Sequence, residues 1–438
     1  MKRQIPLAIL VLALAAPMAC APVTLPAATR VAASSPIAPT ATSGAAPATP
    51  AAALTTSAPP QTTPSIGPPT GTAQIVATPS TASTTATPPA ASRFTRPTGL
   101  TAVNNFEPAA QSGSLFAGAL FDERTYANPT ISGITFRTSW ADIEPSAGNF
   151  VWTKLDTVFD SAEKNGKWVE LILIPGFGTP AWALQGVQTG TFSVIYGPGK
   201  GQELPLPLPW DQTYLDRWFA LLQAVSARYQ NRPSFLKIAA DGPTSVTAEM
   251  SLPNAPADLC TWIRLGYTSD RLMGAWQQVF ARYAQIFPRQ YFSIALYPPL
   301  PIAAGTRCEN GSPVGVAHAE SQRVTTAIVA LGADHYPKQF VLQENGLTAA
   351  KDNKSTSGAY EVVKSYGGKV VIGYQLVTSA MLHPSDMGDP DGPTALRESL
   401  QRGVDAHAQF LEVWEPDVLS PGAQSVLASV AGALAAGQ

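Results

Sequence analysis

Residues 235–253, FLKIAADGPTSVTAEMSLP, combine an apolar run, a Gly-Pro turn and a loop that carries a single carboxylate, Glu249. A second stretch, residues 340–346 (FVLQENG), repeats this order, because a short apolar run ends in Glu344, Asn345 and Gly346. Apolar runs of this length that are closed by turn residues are typical of buried strands. Each stretch therefore predicts an inner barrel strand that ends at a ligand-facing loop.

Strand and helix patterns alternate along residues 93–438. The predicted strands are 115–121, 134–140, 168–174, 235–240, 291–297, 339–343, 370–376 and 409–414. The predicted helices are 154–165, 211–229, 270–287, 319–331, 394–406 and 423–435. Eight strands alternating with helices predict the α/β class and a (β/α)8 TIM barrel, whose site lies at the carboxyl ends of the strands.

The first 20 residues have the order of a secretory signal. Lys2 and Arg3 precede an apolar run over residues 5–16, and small residues lead to Cys20. This order resembles a bacterial lipoprotein signal, which implies that Cys20 is lipidated and becomes the new N-terminus. Pro17 stands where that pattern prefers Leu, and an ordinarily cleaved signal is the alternative. We expect an extracytoplasmic protein, either anchored to the cell membrane by lipidated Cys20 or secreted.

Residues 21–92 consist almost wholly of Ala, Pro, Thr and Ser, and Arg30 is their only charged residue. Such a segment has little apolar surface to bury against the entropy cost of ordering its backbone. We therefore predict a disordered tether over residues 21–92. Residues 93–438 remain as a single large domain.

The charge balance argues against several classes of partner. The net charge is −2, charged residues make up 13% of the chain, and no basic run occurs. This disfavours nucleic acid and anionic membrane surfaces as partners. The four histidines lack ligand spacing and there is no Gly-x-Ser-x-Gly motif, which disfavours a zinc enzyme and a serine esterase. We expect no metal, no cofactor and a monomer.

Three cysteines are present, and two of them remain once Cys20 is assigned to the lipid anchor. Cys260 and Cys308 both follow predicted strands, and exported proteins fold in oxidising compartments. We predict a disulfide that joins two neighbouring loops on one rim of the barrel. Two independent buried thiols are the alternative.

Residues 136–156, FRTSWADIEPSAGNFVWTKLD, resemble the second-strand segment of clan A glycoside hydrolases. The likeness is to family 42 β-galactosidases and related β-glycosidases, in which a strand with Arg leads to Trp, Ile-Glu-Pro, Gly and an aromatic residue. It continues through residues 166–175 and 179–182 and covers about 50 residues. The resemblance implies a (β/α)8 fold, a carbohydrate substrate and hydrolysis of glycosidic bonds.

Glu344 is the predicted nucleophile. The sequence Gln343-Glu344-Asn345-Gly346 resembles the Thr-Glu-Asn-Gly of family 1 β-glucosidases, and the later Gly-Tyr-Gln375 resembles the start of their next strand. The resemblance implies that Arg137 lies beside Glu344 and keeps it ionised. Asn345 and Gln375 are expected to support the site.

Glu249 is the predicted general acid, since residues 238–253 resemble the strand and loop that carry the acid glutamate of family 14 β-amylases. Burial among apolar neighbours would raise its pKa toward neutrality. Clan A enzymes carry Asn-Glu at the end of the fourth strand, whereas Ala248 precedes Glu249. Asp241, nearer the strand end, is the alternative acid, and a non-catalytic site is the third possibility.

The strand count raises a further question about Glu344. By this count Glu344 ends the sixth strand, whereas the nucleophile of clan A ends the seventh. The seventh predicted strand offers Gln375 and no carboxylate. Glu412 and Glu415 on the last strand are therefore reserve candidates.

Aromatic residues are frequent near the predicted strand ends, and their faces suit the apolar faces of pyranose rings. The predicted substrate-binding residues are Trp140, Trp182, Trp210, Tyr297 and Trp414. We expect a retaining glycoside hydrolase that acts on extracellular polysaccharide or oligosaccharide with two glutamates. The alternatives are a non-catalytic carbohydrate-binding lipoprotein with a degenerate barrel and an adhesion or scaffold role at the cell envelope.

Overall fold

A computed structural model describes residues 94–108, 114–195, 197–244, 249–350 and 358–437. The predicted signal over residues 1–20, including Cys20, and the predicted tether over residues 21–92 lie outside the described residues.

Eight parallel strands form a closed barrel in chain order, and β1 pairs with both β2 and β8. The strands are β1 (Gly99–Val103), β2 (Ile131–Ser139), β3 (Trp168–Ile174), β4 (Phe235–Ala239), β5 (Tyr291–Ala295), β6 (Phe340–Leu347), β7 (Val371–Leu376) and β8 (Phe410–Trp414). Helices follow the strands along the chain and pack outside them. The predicted (β/α)8 TIM barrel is confirmed for the described residues.

The described residues form eleven α-helices, of which six agree closely with the predicted helices and five were not predicted from the apolar periodicity. They are α1 (Glu123–Ala127), α2 (Trp140–Ile143), α3 (Thr153–Asn165), α4 (Gln212–Tyr229), α5 (Pro256–Arg264), α6 (Ser269–Ile286), α7 (His318–His335), α8 (Ala359–Ser365), α9 (Gly392–Asp405), α10 (Glu415–Leu419) and α11 (Gln424–Ala436). Short 3-10 helices span Gly176–Gly178, Ala181–Leu184, Pro384–Met387 and Pro421–Ala423. Two hairpins pair Thr189–Ser193 with Glu203–Pro207 and Arg307–Glu309 with Ser312–Val314. Within the described part of the chain, none of these helices is both long and apolar enough to cross a membrane.

The prediction of the first strand at residues 115–121 is wrong, because the first strand is β1. Residues 115–121 fold back over the loop that follows β1, where Glu107 N–H donates to Ala117 O at 2.8 Å. Phe116 is buried in an inner apolar cluster, so its hydrophobicity reflects packing at the barrel mouth. The close approach needs glycine at position 118, since a Cβ there would lie 2.1 Å from the carbonyl oxygen of Arg137.

Helix ends follow local sequence signals. Asp211 caps α4, and its carboxylate accepts from Tyr214 N–H at 2.9 Å. Gly166 ends α3 with a φ of 71°, a left-handed conformation that glycine adopts without steric cost. These signals fix where α4 begins and where α3, which packs against β2 and β3, ends.

A buried ion cluster fills the middle of the barrel. Lys237 Nζ on β4 lies 2.8 Å from Glu170 Oε2 on β3 and 3.3 Å from Glu412 Oε1 on β8. All three side chains are at most 1% exposed. Because successive side chains of a strand point to opposite faces, these contacts identify the inward residues of each strand. The inward positions nearer the carboxyl ends of the strands form the candidate site.

Cys260 and Cys308 form a disulfide, with their Cα atoms 5.5 Å apart. This bond ties α5 to the hairpin that starts at Arg307. The predicted pairing is therefore confirmed.

Candidate active site

Arg137 lies on the inner face of β2 and is held from several sides. Its Cζ lies 4.4 Å from the ring centroid of Phe106 and 4.5 Å from that of Trp414. Nη2 donates to Asn104 O at 2.8 Å, and Asn104 Oδ1 accepts from the Arg137 backbone N–H at 2.7 Å. Arg137 is only 6% exposed, and its Nε has no hydrogen-bond partner among the described residues. The guanidinium is thus fixed in place by aromatic and backbone contacts.

Two carboxylates lie in the electrostatic environment of Arg137. Burial lowers the pKa of Arg137 to about 10, and the charges of Glu412 and Glu249 oppose this shift. Arg137 therefore stays ionised at neutral pH. It supplies a fixed positive charge near Glu249.

Glu249 reaches the same end of the barrel from the loop after β4. It forms an isolated parallel bridge with Ala295 at the end of β5, and Met250 N–H donates to Ala295 O at 3.0 Å. Burial raises the pKa of Glu249 to about 7, although a hydrogen bond from Asn345 and the charge of Arg137 both lower it. A carboxyl group with this pKa is suited to proton transfer near neutral pH.

A chain of side-chain hydrogen bonds connects Asn345 with the ion cluster. Asn345 Oδ1 accepts from Gln343 Nε2 at 2.9 Å, and Gln343 Oε1 accepts from Lys237 Nζ at 2.9 Å. Gln343 Nε2 also donates to Glu412 Oε2 at 2.7 Å. Because the amide oxygen of Asn345 faces Gln343, its amide nitrogen is directed to Glu249. The core of the barrel thereby orients the hydrogen bond to Glu249.

Glu344 lies on the opposite face of β6 from this chain. Gln343 and Asn345 face the interior, so the residue between them faces the helices. Glu344 pairs in register with Tyr374, whose ring packs 5.2 Å from that of Tyr360 on α8. Burial raises the pKa of Tyr374, and the charge of Glu344 adds to this shift. The structure therefore brings Glu249 and Arg137 together but leaves Glu344, 0% exposed, in the outer layer.

Gln375 occupies the inner face of β7. It pairs in register with Glu412 of β8 and is 5% exposed. The sixth-strand position of Glu344 and the seventh-strand position of Gln375 agree with the strand count from the sequence. The inward residue of β7 that lies beside Glu412 is therefore an amide and not a carboxylate.

Asp241 is completely buried at the end of β4. Neither of its carboxylate oxygens has a hydrogen-bond partner among the described residues. Its backbone contacts are made with the helical layer, since Asp241 N–H donates to Tyr283 Oη at 3.1 Å and Trp218 Nε1 donates to Asp241 O at 3.0 Å. Burial raises the pKa of Asp241 well above its ordinary value, and the charge of Glu170 adds to this shift. The Asp241 side chain therefore exposes no surface to the cleft.

The reserve glutamates have structural contacts, and Glu415 lies at the start of α10 and not on the last strand as predicted. Glu412 is 0% exposed, and its carboxylate accepts from Lys237, Gln343 and Thr135. Glu415 Oε1 accepts from Asp122 N–H at 2.7 Å and also from α1. Glu412 therefore belongs to the buried cluster, and Glu415 ties β8 to the start of α1.

Trp140 and Trp182 form part of the packing outside the barrel. Trp140 is 0% exposed, and its Nε1 donates to Glu144 Oε2 at 2.9 Å. Trp182 Nε1 donates to Glu144 O at 3.0 Å, and the two indoles meet edge to face at 5.8 Å. Trp140 thus lies in the protein core and offers no face to a sugar, whereas Trp182 is partly exposed.

The other predicted aromatic residues are partly exposed. Trp414 lies against Arg137, and its Nε1 donates to Leu376 O at 2.7 Å. Trp210 packs 6.1 Å from Trp262 and lies in a separate aromatic group. Tyr297 lines a cavity beside the end of β5. Of the five, Trp414 is the one whose contacts place it directly at Arg137.

Four residues of the site and the ion cluster were not predicted from the sequence: Asn104, Phe106, Lys237 and Gln343. Asn104 and Phe106 directly follow β1, and a polar residue after a strand would have indicated them if the first strand had been placed correctly. Lys237 and Gln343 interrupt apolar runs, which is itself a signal of a buried polar contact. Among the described residues, no group of three or more His, Cys, Asp and Glu side chains is arranged to hold a metal ion.

Several solved structures are similar to this chain at low sequence identity. The catalytic domain of β-amylase from Paenibacillus polymyxa is 11% identical, with 74% of this chain and 94% of that chain covered and a TM-score of 0.47. The endo-β-1,4-mannanase from Thermotoga petrophila is 10% identical, with 77% of each chain covered and a TM-score of 0.46. The β-galactosidase from Marinomonas ef1 is 15% identical, with 76% of this chain and 59% of that chain covered and a TM-score of 0.37. A search of curated protein sequences found no match.

Residues 127–292 match the model of glycoside hydrolase family 42, which is described as β-galactosidase. The matched segment is less than half of the chain and runs from the end of α1 into β5. It includes Arg137, Asp241 and Glu249. Over this segment the chain is homologous to glycoside hydrolases.

Proposed function

We propose that this protein is an enzyme that hydrolyses glycosidic bonds in extracellular polysaccharide or oligosaccharide, with Glu249 as the general acid. The observation that carries the proposal is the environment of Glu249. Its carboxyl group has a pKa of about 7, accepts a hydrogen bond from Asn345 and lies near the charge of Arg137. The homology of residues 127–292 to glycoside hydrolases supports the same reaction class.

Glu249 would protonate the glycosidic oxygen as its bond to the anomeric carbon breaks, and in the hydrolysed product that carbon carries the oxygen of a water molecule. Burial keeps the carboxyl group protonated near neutral pH, so that the proton is available when substrate binds. As the proton leaves, the hydrogen bond from Asn345 and the charge of Arg137 stabilise the carboxylate that forms. These two residues therefore favour the transition state over the ground state.

The retaining mechanism with Glu344 as nucleophile stays a prediction, and the geometry does not favour it. The neighbours Gln343 and Asn345 occupy the inner face of β6, and Glu344 pairs with Tyr374 in the outer layer. We therefore assign the acid role to Glu249 and assign no residue to the attacking role. Asp241 is a weaker candidate for the acid because it is 0% exposed.

A second candidate function is carbohydrate binding without catalysis. It is favoured by Gln375 on the inner face of β7, where the resemblance to clan A enzymes implies a nucleophile. In this function, Arg137 and Trp414 would contact a bound sugar, and Glu249 would be a hydrogen-bonding group. Anchoring by lipidated Cys20 at the outer side of the membrane suits both functions and is likewise a proposal.

A turnover assay distinguishes the hydrolase from the non-catalytic binding protein. The full chain is incubated with aryl glycosides of both anomers and with plant and bacterial polysaccharides, and released reducing sugar is measured. Hydrolysis that is lost in Glu249→Gln supports the enzyme. Binding of the same sugars without hydrolysis, in both the parent and Glu249→Gln, would overturn it in favour of the binding protein.

A further inference from the structure

A cavity of about 400 Å³ lies beside the end of β5. Three segments that line it are the loop after Tyr297, the hairpin that ends at Val314, and the first turn of α7. A fourth is the segment after Glu249, which contributes Asn254. A volume of this size is within the range of small-molecule sites in proteins.

Two of the residues that line the cavity lie close along the chain to Glu249 or to its bridge partner. Glu249 forms a bridge with Ala295, and Tyr297 at the cavity follows Ala295 by two residues. Two residues of extended chain span at most about 7 Å. Asn254 lies five residues beyond Glu249 on the same segment. An oligosaccharide with its scissile bond at Glu249 would therefore reach the cavity with its next residues.

The lining suits a neutral sugar. Tyr297 and the prolines 298, 299, 301 and 313 supply flat apolar surfaces, which match the apolar faces of pyranose rings. Asn254, His318 and Ser321 add polar groups that can bond to hydroxyls. None of the described residues that line the cavity is Asp, Glu, Lys or Arg. A uronic acid or a cationic sugar would find no charged partner there.

The walls of the cavity are fixed by contacts within the protein. Ser321 Oγ donates to Pro299 O at 2.5 Å, which joins α7 to the loop after β5. Trp262 Nε1 donates to Pro253 O at 2.9 Å, which joins α5 to the segment after Glu249. The disulfide between Cys260 and Cys308 joins α5 to the hairpin. A site formed before the ligand arrives loses less entropy on binding.

We propose that this cavity, lined by Tyr297, Asn254 and His318, is a second sugar-binding subsite that takes a neutral sugar residue of the same substrate chain. The inference rests on the proposed function, since it assigns the substrate as a neutral oligosaccharide that extends beyond the residue at Glu249. It implies that longer chains are bound more tightly than a single glycoside.

The test compares substrates of different length in pocket variants. Neutral gluco-, manno-, galacto- and xylo-oligosaccharides of two to six units are used with the full chain, together with the aryl glycoside of the preferred sugar. His318→Ala and Asn254→Ala remove polar groups from the lining, and Val316→Trp fills the cavity. His335→Ala is the matched control, because it lies exposed at the other end of the same helix.

If the subsite exists, the variants should lose kcat/KM for long oligosaccharides but not for the aryl glycoside. The kcat/KM for the longest oligosaccharide falls about tenfold in His318→Ala and Asn254→Ala, about the worth of one hydrogen bond at the site, and further in Val316→Trp. The kcat/KM for the aryl glycoside stays within about twofold in all variants. Equal losses on both substrates, or no loss on either, would overturn the subsite while the proposed hydrolase remains.

Measurements of binding affinity test the subsite independently of the proposed hydrolase activity. Titration calorimetry of the longest oligosaccharide against Glu249→Gln measures affinity without turnover. Weaker binding on addition of His318→Ala, but not of His335→Ala, supports the subsite even if the parent hydrolyses none of these sugars. Unchanged binding in both combinations would overturn it.

Discussion

Gln343 and Asn345 on β6 are hydrogen-bonded to each other inside the barrel, with Gln343 Nε2 2.9 Å from Asn345 Oδ1. This contact fixes the orientation of the whole strand end. It directs the Asn345 amide nitrogen to Glu249, and it places Glu344 on the other face. One side-chain pair thus decides which glutamate belongs to the candidate site.

The pH dependence of hydrolysis should report the pKa of Glu249. A general acid works when it is protonated, so kcat/KM should fall as the pH rises through about 7. The hydrogen bond from Asn345 lowers this pKa. In Asn345→Leu the fall of kcat/KM with rising pH should therefore occur at higher pH than in the parent. Gln409→Leu, outside the site, serves as the control, and a fall at lower pH in Asn345→Leu would contradict the account.

Asp241 should make the fold less stable at high pH. Its pKa is raised in the folded protein, so the native state holds the proton more tightly than the unfolded chain does. Stability then falls as the pH rises from the ordinary range of an aspartate toward the raised native pKa. Asp241→Asn keeps the shape without the titration. Its free energy of unfolding should match the parent at low pH and exceed that of the parent at pH 8.

Urea unfolding of the parent and Asp241→Asn at pH 3.5, below the ordinary pKa of an aspartate, and at pH 8 measures this effect. The exposed Asp386→Asn is the control. If the difference in unfolding free energy between the parent and Asp241→Asn is the same at both pH values, the predicted titration is contradicted. Loss of hydrolysis in Asp241→Asn would instead point to Asp241 as the acid.

The ion cluster should be sensitive to the loss of its cation. Lys237→Met leaves Glu170 and Glu412 buried without their positive partner. Breaking a buried ion pair on one side costs about 3–5 kcal/mol of stability. Arg124→Met removes an exposed ion pair with Asp122 and should have little effect. Denaturant midpoints compare the two variants, and equal small changes would show that the cluster contributes little.

The disulfide should stabilise the rim of the barrel. It links residues 48 apart in the chain, and loss of such a bond costs about 2–4 kcal/mol. Replacement of Cys260 and Cys308 by Ser should lower the melting temperature, and it should weaken binding of the longest oligosaccharide because α5 and the hairpin are released. Reduction with dithiothreitol should lower the melting temperature of the parent and leave the double variant unchanged. A parent insensitive to reduction would argue against this role.

The barrel could be predicted from sequence because its strands and helices differ in period. The helix 212–229 has apolar residues at helical spacing, and the strand 168–174 is apolar at every position except Glu170. The first strand could not be placed in this way. Residues 115–121 are more apolar than 99–103, yet they cover the barrel mouth, where tertiary packing decides their conformation.

The candidate site was predictable only in part. Glu249 stands out as the lone carboxylate after a Gly-Pro turn, and Arg137 lies on a strand with a family resemblance. The orientation of Glu344 could not be inferred, because Gln343, Glu344 and Asn345 are three consecutive polar residues and contain no alternation of apolar and polar character. Only their contacts with Lys237 and Glu412 on other strands show which of them face inward.

The most direct test of the account compares Glu249→Gln with Glu344→Gln on two glycosides of the same sugar. One glycoside has a poor leaving group that needs protonation, and the other has an activated dinitrophenyl leaving group that does not. We expect kcat/KM of Glu249→Gln to fall by about 10²–10⁴ on the first glycoside and much less on the second, and Glu344→Gln to stay within about tenfold on both. Collapse of Glu344→Gln on both glycosides, with Glu249→Gln close to the parent, would contradict the assignment of Glu249 as the acid.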